Sequence, residues 1–132
     1  MIIDTSAIMA VLRGEPERRR FNKVIEAAPQ KRISAATLVE LSLVTEVRHG
    51  AEGIRELDLY LATAGIDTHA VDRAQALLAR EAFRRFGKGR HRAALNFGDC
   101  FPYALARSLD EPLLFKGGDF ALTDITPAVA PL

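Results

Sequence analysis

Four acidic side chains stand where a parallel sheet would bring them together. Asp4 and Asp119 each follow a short apolar stretch, MII and PLLFK. Glu40 lies near the start of a predicted helix that follows the strand KRISA, and Asp99 lies near the start of the helix before PLLFK. Ligands of such sheets bind beyond the carboxyl ends of the strands, so all four acids fall on the expected ligand edge.

Carboxylates at one edge repel one another unless a cation lies between them. Mg²⁺ and Mn²⁺ prefer such oxygen ligands and keep water molecules for bound phosphates. The set therefore indicates metal-assisted phosphodiester hydrolysis. Each acid alone has a structural alternative. Asp4, Asp99 and Asp119 could cap helices, and Glu40 could close a capping box with Thr37.

Short apolar stretches alternate with longer stretches of helical periodicity, and helical crossovers between strands are typical of a parallel sheet. The predicted strands are MIID, KRISA, IDTHAV, PLLFK and a weak last strand, TPAVAPL. The predicted helices are TSAIMAVLRG, residues 15–28, TLVELSLVTEVRHG, residues 51–64, a helix from its cap Asp72 to Phe86, and FGDCFPYALARSLD. We expect one α/β domain over residues 1–132, with helices on both faces of a mostly parallel central sheet.

Composition restricts the class of protein. The chain has 132 residues, 48% hydrophobic and 27% charged, which is typical of a globular protein with a real core. Cys100 is the only cysteine, so no internal disulfide forms, and we expect a buried structural thiol. No apolar run approaches the ~20 residues of a membrane span. The N-terminus lacks the basic start and following apolar stretch of a signal peptide, so we expect none. These features favour a cytoplasmic protein.

Four motifs together resemble the PIN-domain ribonucleases, and more narrowly the VapC-type toxins of bacterial toxin–antitoxin pairs. The motifs are MIIDTSA, TLVE, LNFGDCFPYALA and LLFKGGDF. The resemblance covers nearly the whole chain and implies a three-layer α/β/α PIN-like fold. It also implies an endoribonuclease with one or two Mg²⁺ or Mn²⁺ ions and products that carry 5′-phosphate and 3′-hydroxyl ends. Its catalytic and metal-binding residues would be Asp4, Glu40, Asp99 and Asp119.

The resemblance further implies supporting roles for Ser6, beside the first acid, and for Arg48, on the helix that carries Glu40. The turn KGGD departs from the family pattern, in which a Thr or Asn often precedes the last acid. This departure leaves open whether Asp119 is a direct ligand. A haloacid-type phosphatase also begins with a strand ending in Asp, but it needs a second Asp where this chain has Ser6.

An unbroken basic segment, RRFGKGRHR, precedes Asp99, although the net charge of the chain is only +1. The segment is either a solvated loop or a surface that holds RNA phosphates beside the scissile bond. Phe86 and Phe97 flank this segment and either stack on bases or are core or hinge residues. The candidate RNA-binding cations are Arg84, Arg85, Lys88, Arg90 and Arg92.

A toxin of this type would have an RNA substrate, a VapB-type antitoxin and commonly a second copy of itself in a homodimer. An antitoxin tail would lie in a groove near the active site. Its candidate contacts, which could equally be core, are Phe21, Val24, Ile25, Leu57 and Leu61. The alternatives are a housekeeping PIN-domain nuclease in RNA processing and a non-catalytic interaction domain.

Overall fold

Four short strands form the sheet of the computed structural model, which describes residues 1–130. They are β1 (Ile2–Ile3), β2 (Arg32–Ser34), β3 (Asp67–His69) and β4 (Leu113–Leu114). The strand order is β3-β2-β1-β4, and every pair of neighbours is parallel. The parallel sheet expected from the alternating pattern is therefore confirmed.

Helices supply the crossovers between these strands. They are α1 (Thr5–Leu12), α2 (Arg18–Ala27), α3 (Ala35–Ala64), α4 (Arg73–Phe86) and α5 (Cys100–Leu109), and a short 3₁₀ helix, Phe120–Leu122, follows β4. The long α3 spans two predicted helices, and its backbone leaves helical geometry at Gly50, where φ is 61°. Glycine adopts a positive φ without a Cβ clash, so the predicted boundary takes the form of a kink.

Side chains of successive strand residues point to opposite faces of the sheet, and this alternation divides the core in two. Ile2 and Leu113 lie in one core with residues of α4 and α5. Ile3, Ile33 and Leu114 lie in the other core with residues of α1, α2 and α3. The three α/β/α layers expected for the chain are thus present.

The apolar candidates for antitoxin contact are mostly core residues. Val24 is half-buried and the other four are buried, namely Phe21, Ile25, Leu57 and Leu61. The core alternative is therefore confirmed for these four side chains, because a partner cannot reach them on this surface. The large apolar side chains that do remain exposed on α3 are Val39, Leu43, Val47 and Leu59.

The last predicted strand, TPAVAPL, is only an isolated parallel bridge between Pro127 and Leu113 within the described residues. Its final two positions, residues 131–132, lie outside them. None of the helices in residues 1–130 combines the length and the apolar composition that crossing a membrane requires.

Candidate active site

Asp4 is fixed where β1 meets α1. Its backbone N–H donates to the carbonyl of Leu114 at 2.9 Å, and its Oδ2 accepts the N–H of Ser6 at 3.0 Å. The second bond caps α1, so the capping interpretation of Asp4 is confirmed. The side chain is buried, with 4% of its surface exposed. The pKa of Asp4 is raised to about 6, mainly by burial and also by the charges of Asp99 and Glu40. The hydrogen bonds from Ser6 act in the opposite direction and lower the pKa.

Glu40 is held between two elements. The hydroxyl of Thr5, the first residue of α1, donates a hydrogen bond to Glu40 Oε1. The other oxygen packs against Gly98, where a Cβ atom would overlap Glu40 Oε2. The absence of a side chain at Gly98 therefore makes room for this carboxylate beside Asp99.

Asp99 is positioned by a pair of reciprocal hydrogen bonds with Asn96. The N–H of Asn96 donates to Asp99 Oδ2 at 3.0 Å, and the N–H of Asp99 donates to Asn96 Oδ1 at 2.9 Å. Burial raises the pKa of the half-buried Asp99, the Asn96 N–H opposes this, and the charges of Asp119 and Glu40 raise it further. The carboxylate thus has a fixed orientation and like charges on two sides.

Asp119 completes the set from the exposed side, in the turn that follows β4. Ser6 connects this turn to the first acid, because its Oγ accepts the N–H of Lys116 at 2.9 Å while its own N–H binds Asp4. The Lys116 ammonium pairs with Glu15, away from the four acids. Ser6 therefore links Asp4 to the turn before Asp119, and its supporting role stays a prediction.

The remaining capping alternatives are wrong. Ser34 caps α3, so Thr37 is inside the helix and Glu40 closes no capping box with it. Asp99 and Asp119 stand at the first position before a helix, but neither side chain accepts a capping hydrogen bond. Glu40 and Asp119 are therefore free of the capping role that their sequence positions offer, whereas the Asp99 side chain accepts the N–H of Asn96 instead.

The acids share one edge without forming a closed cage. Within residues 1–130, no three Asp, Glu, His or Cys side chains stand close enough to enclose a metal ion together. The donor atoms nevertheless fit the oxygen preference of Mg²⁺ and Mn²⁺. A cation at this edge would offset the repulsion that raises the pKa of Asp4 and Asp99.

Thr5, Asn96 and Gly98 are positioning residues that sequence reasoning missed. The pairing of Asn96 with Asp99 could have been predicted from the sequence, because Asn96 stands three residues before Asp99, which is the spacing of a reciprocal cap. The roles of Thr5 and Gly98 could not, since the residue they touch, Glu40, is distant in sequence.

The predicted RNA-binding cations fall into two groups. Arg84 pairs with Glu81 at 3.0 Å, and Arg85 pairs with Asp124 at 3.2 Å. The other three are exposed and pair with no carboxylate in the part of the chain that the structure describes. These three are Lys88, Arg90 and Arg92.

The loop that carries these three cations is closed at its base. Leu95 forms backbone hydrogen bonds of 2.9 Å with both Phe86 and Lys88. The ring of His91 packs edge-on against Phe86, with 5.1 Å between centroids. Phe86 is buried, which confirms the core interpretation, whereas Phe97 is 79% exposed, so a core position is wrong for it.

Two further predictions concern Arg48 and Cys100. Arg48 is exposed on α3, roughly 12 Å further along the helix axis than Glu40, and its supporting role stays a prediction. Cys100 is buried, as expected, and its thiol donates to the carbonyl of Asn96 at 3.2 Å. Burial raises the pKa of this thiol to about 11, which makes it unreactive at neutral pH.

Comparisons with known proteins place the chain in a family. Residues 1–125 match the model of the PIN domain. Ribonuclease VapC30 of Mycobacterium tuberculosis is 51% identical over 131 residues, which cover 99% of this chain and 100% of the relative. The crystal structure of M. tuberculosis VapC20, described as a sarcin-ricin loop cleaving toxin, covers 98% of both chains with a TM-score of 0.74 and 21% identity. A toxin-antitoxin complex from Klebsiella pneumoniae matches 91% of this chain and 89% of its own, with a TM-score of 0.66 and 20% identity.

Proposed function

We propose that this chain, which belongs to the PIN-domain family and within it to the VapC ribonucleases, the toxins of toxin–antitoxin pairs, cuts RNA at its four-acid edge with a bound Mg²⁺ or Mn²⁺. The main support is the carboxylate of Asp4, which is buried beside Glu40 and Asp99 and has its pKa raised to about 6. An ionisable group kept in so unfavourable a place is typical of a functional site.

Asp4, Glu40, Asp99 and the exposed Asp119 would hold the cation, some of them directly and the others through its water molecules. An open arrangement suits Mg²⁺, which keeps several of its water molecules when it binds to proteins. When bound, the ion would lower the pKa of the attacking water and neutralise the leaving oxygen of the phosphodiester.

The residues of the chain itself orient these ligands. Thr5 and Gly98 fix Glu40 from opposite sides, and Ser6 holds both Asp4 and the turn before Asp119. Asn96 fixes Asp99. Carboxylates held in place before substrate arrives need little reorganisation in the transition state, which is how a preorganised site gains rate.

Loss of one ligand tests this proposal directly. Asp99→Asn should reduce cleavage of single-stranded RNA in Mg²⁺ by at least about a hundredfold, while Asp58→Asn, a change of an exposed acid on α3, leaves the rate unaltered. EDTA should stop the wild-type reaction and added Mg²⁺ or Mn²⁺ should restore it. Full activity of Asp99→Asn, or cleavage in EDTA, would contradict the proposed site and its metal.

The exposed cations next to the site would hold the phosphates of the substrate. We expect the double change of Arg90 and Arg92 to Gln to weaken RNA binding and to lower its salt dependence, because fewer counterions are released. Arg84→Gln is the matched control, since that side chain already pairs with Glu81. An unchanged salt slope in the double variant would place the RNA elsewhere.

A VapB-type antitoxin would be the regulatory partner, and the match to a toxin-antitoxin complex supports this expectation. Induced expression should arrest growth, and co-expression of a small neighbouring gene product should relieve the arrest. Growth without arrest would favour a housekeeping nuclease. A homodimer would give twice the mass of the 14.5 kDa chain in light scattering.

A further inference from the structure

Phe97 is the aromatic side chain with the most exposed surface beside the four acids. It is 79% exposed, although it lies two positions before Asp99. At this exposure the ring does not serve the core, and its position beside the four acids makes it accessible to a ligand that binds there.

The backbone of Phe97 is fixed, and its ring has one aromatic contact. Phe97 stands in the turn that the two hydrogen bonds between Asn96 and Asp99 close, so its backbone has a fixed relation to the catalytic carboxylate. Phe101, the second residue of α5, packs edge-to-face against the ring, with 4.9 Å between centroids. Anything that stacks on Phe97 is thereby placed at a set distance from Asp99.

Phe97 borders a groove of about 430 Å³ between α4 and α5, which is lined by apolar side chains and one cation. The lining includes Ala76, Arg80, Phe83 and Phe101, and no acid of the described residues takes part in it. Arg90 lies near this groove, because its guanidinium is 5.6 Å from the centroid of the ring of Phe83, one of the lining residues. The groove thus combines aromatic faces with positive charge.

We propose that Phe97 and this groove bind an unpaired base of the RNA next to the phosphate that is cut. The inference rests on the proposed ribonuclease function and adds a base-binding site to it. Single-stranded nucleic acids bind by stacking bases on aromatic rings while cations hold the backbone. Both features are present here, and Arg80, Arg90 and Phe97 supply them.

The experiment measures binding of a short, randomised, fluorescein-labelled single-stranded RNA in EDTA, where the wild-type chain would not cut it. Phe97→Ala should weaken binding about five- to a hundredfold, the range expected for one stacked base. Phe97→Trp should restore it, because tryptophan offers a larger stacking face. Phe97→Leu keeps the apolar volume but has no aromatic face, so it should bind as weakly as Phe97→Ala.

A second readout is the rate of cleavage in Mg²⁺, with Leu59→Ala as the control because Leu59 is an apolar side chain of α3 that is 68% exposed. Phe97→Ala should raise KM and leave kcat nearly unchanged, since stacking binds substrate and transition state alike. If Phe97→Leu binds as tightly as the wild type, or if Phe97→Ala changes only the mass in light scattering, the groove is a protein contact and the proposal fails. If the wild type cleaves RNA and Phe97→Ala has the same KM as the wild type, the base-binding site alone is overturned. If the wild type does not cleave RNA at all, the ribonuclease proposal itself is overturned.

Discussion

Replacing Asp4 with asparagine should stabilise the metal-free protein and abolish its activity. The ordinary pKa of an Asp carboxyl, 3.8, rises to about 6 in the folded protein, mainly through burial. As the pH rises, the unfolded chain therefore loses this proton first, and between the two pKa values the folded state binds more protons. The free energy of unfolding consequently falls as the pH rises through this interval, and the loss is complete above about pH 6.

The size of the effect follows from the same two pKa values. At about 1.4 kcal/mol for each pH unit between them, the buried carboxyl group of Asp4 costs the folded state about 3 kcal/mol at pH 7.5, where it is charged, and about 1 kcal/mol at pH 4.5, where it must keep a proton that the unfolded chain has lost. Asparagine has nearly the same shape and no charge. Its amide oxygen can still accept the N–H of Ser6, and Asn and Asp are equally good helix caps, so the capping contribution cancels.

Urea unfolding followed by circular dichroism in EDTA measures this difference. Asp4→Asn should be more stable than the wild type by about 3 kcal/mol at pH 7.5, and by less at pH 4.5. Asp119→Asn is the matched control, because Asp119 is exposed, and we expect it to stay within about 0.5 kcal/mol of the wild type. Added Mg²⁺ should stabilise the wild type and not Asp4→Asn. Equal or lower stability of Asp4→Asn in EDTA at pH 7.5 would refute the argument from burial.

Two further changes test the positioning of the site, each with circular dichroism as the folding control, and a labelling experiment tests the burial of Cys100. Gly98→Ala should lower kcat at least about tenfold, because the added Cβ displaces the Glu40 carboxylate, whereas Gly118→Ala, whose Cβ would meet nothing within 4 Å, should not. Thr5→Val should lower kcat roughly tenfold by removing the hydrogen bond to Glu40, and Thr5→Ser should restore it; equal rates for both would exclude that role. The Cys100 thiol should resist thiol reagents at neutral pH until urea unfolds the chain, and rapid labelling of the folded protein would show that it is accessible.

Elements with local signals could be predicted from the sequence. Asp72 begins α4 and accepts the N–H of Gln75 at 2.8 Å, as an N-cap does. Gly14 ends α1 with φ at 66°, and Gly50 breaks α3 where the helical pattern stops. In each case the physical cause lies within a few residues of the signal, so no knowledge of the tertiary structure was needed.

The details of the site could not be predicted in this way, because they depend on residues that meet only in the folded chain. Nothing near Glu40 in the sequence indicates that Thr5 donates to it or that Gly98 makes room for it. The same limit explains Arg85, which reads as a free cation and instead pairs with Asp124. The residue types indicate what chemistry each side chain can do. Whether a side chain is free to bind a ligand depends on the tertiary contacts that it makes.

The strand order explains why the most buried acid is Asp4. The chain runs from β1 outward to β2 and β3, then returns to the other side of β1 for β4. The direction in which strands are added to the sheet therefore reverses beside β1, and such a reversal opens a crevice at the carboxyl ends of the strands. Asp4 stands at that end, with the start of α3 and its Glu40 on one side and the turn of Asp119 on the other. The position that makes charge on Asp4 costly is thus the one that brings it beside Asp99 and Glu40, and Asp99 in turn interacts with Asp119, so the cost and the proposed metal site have a single structural origin.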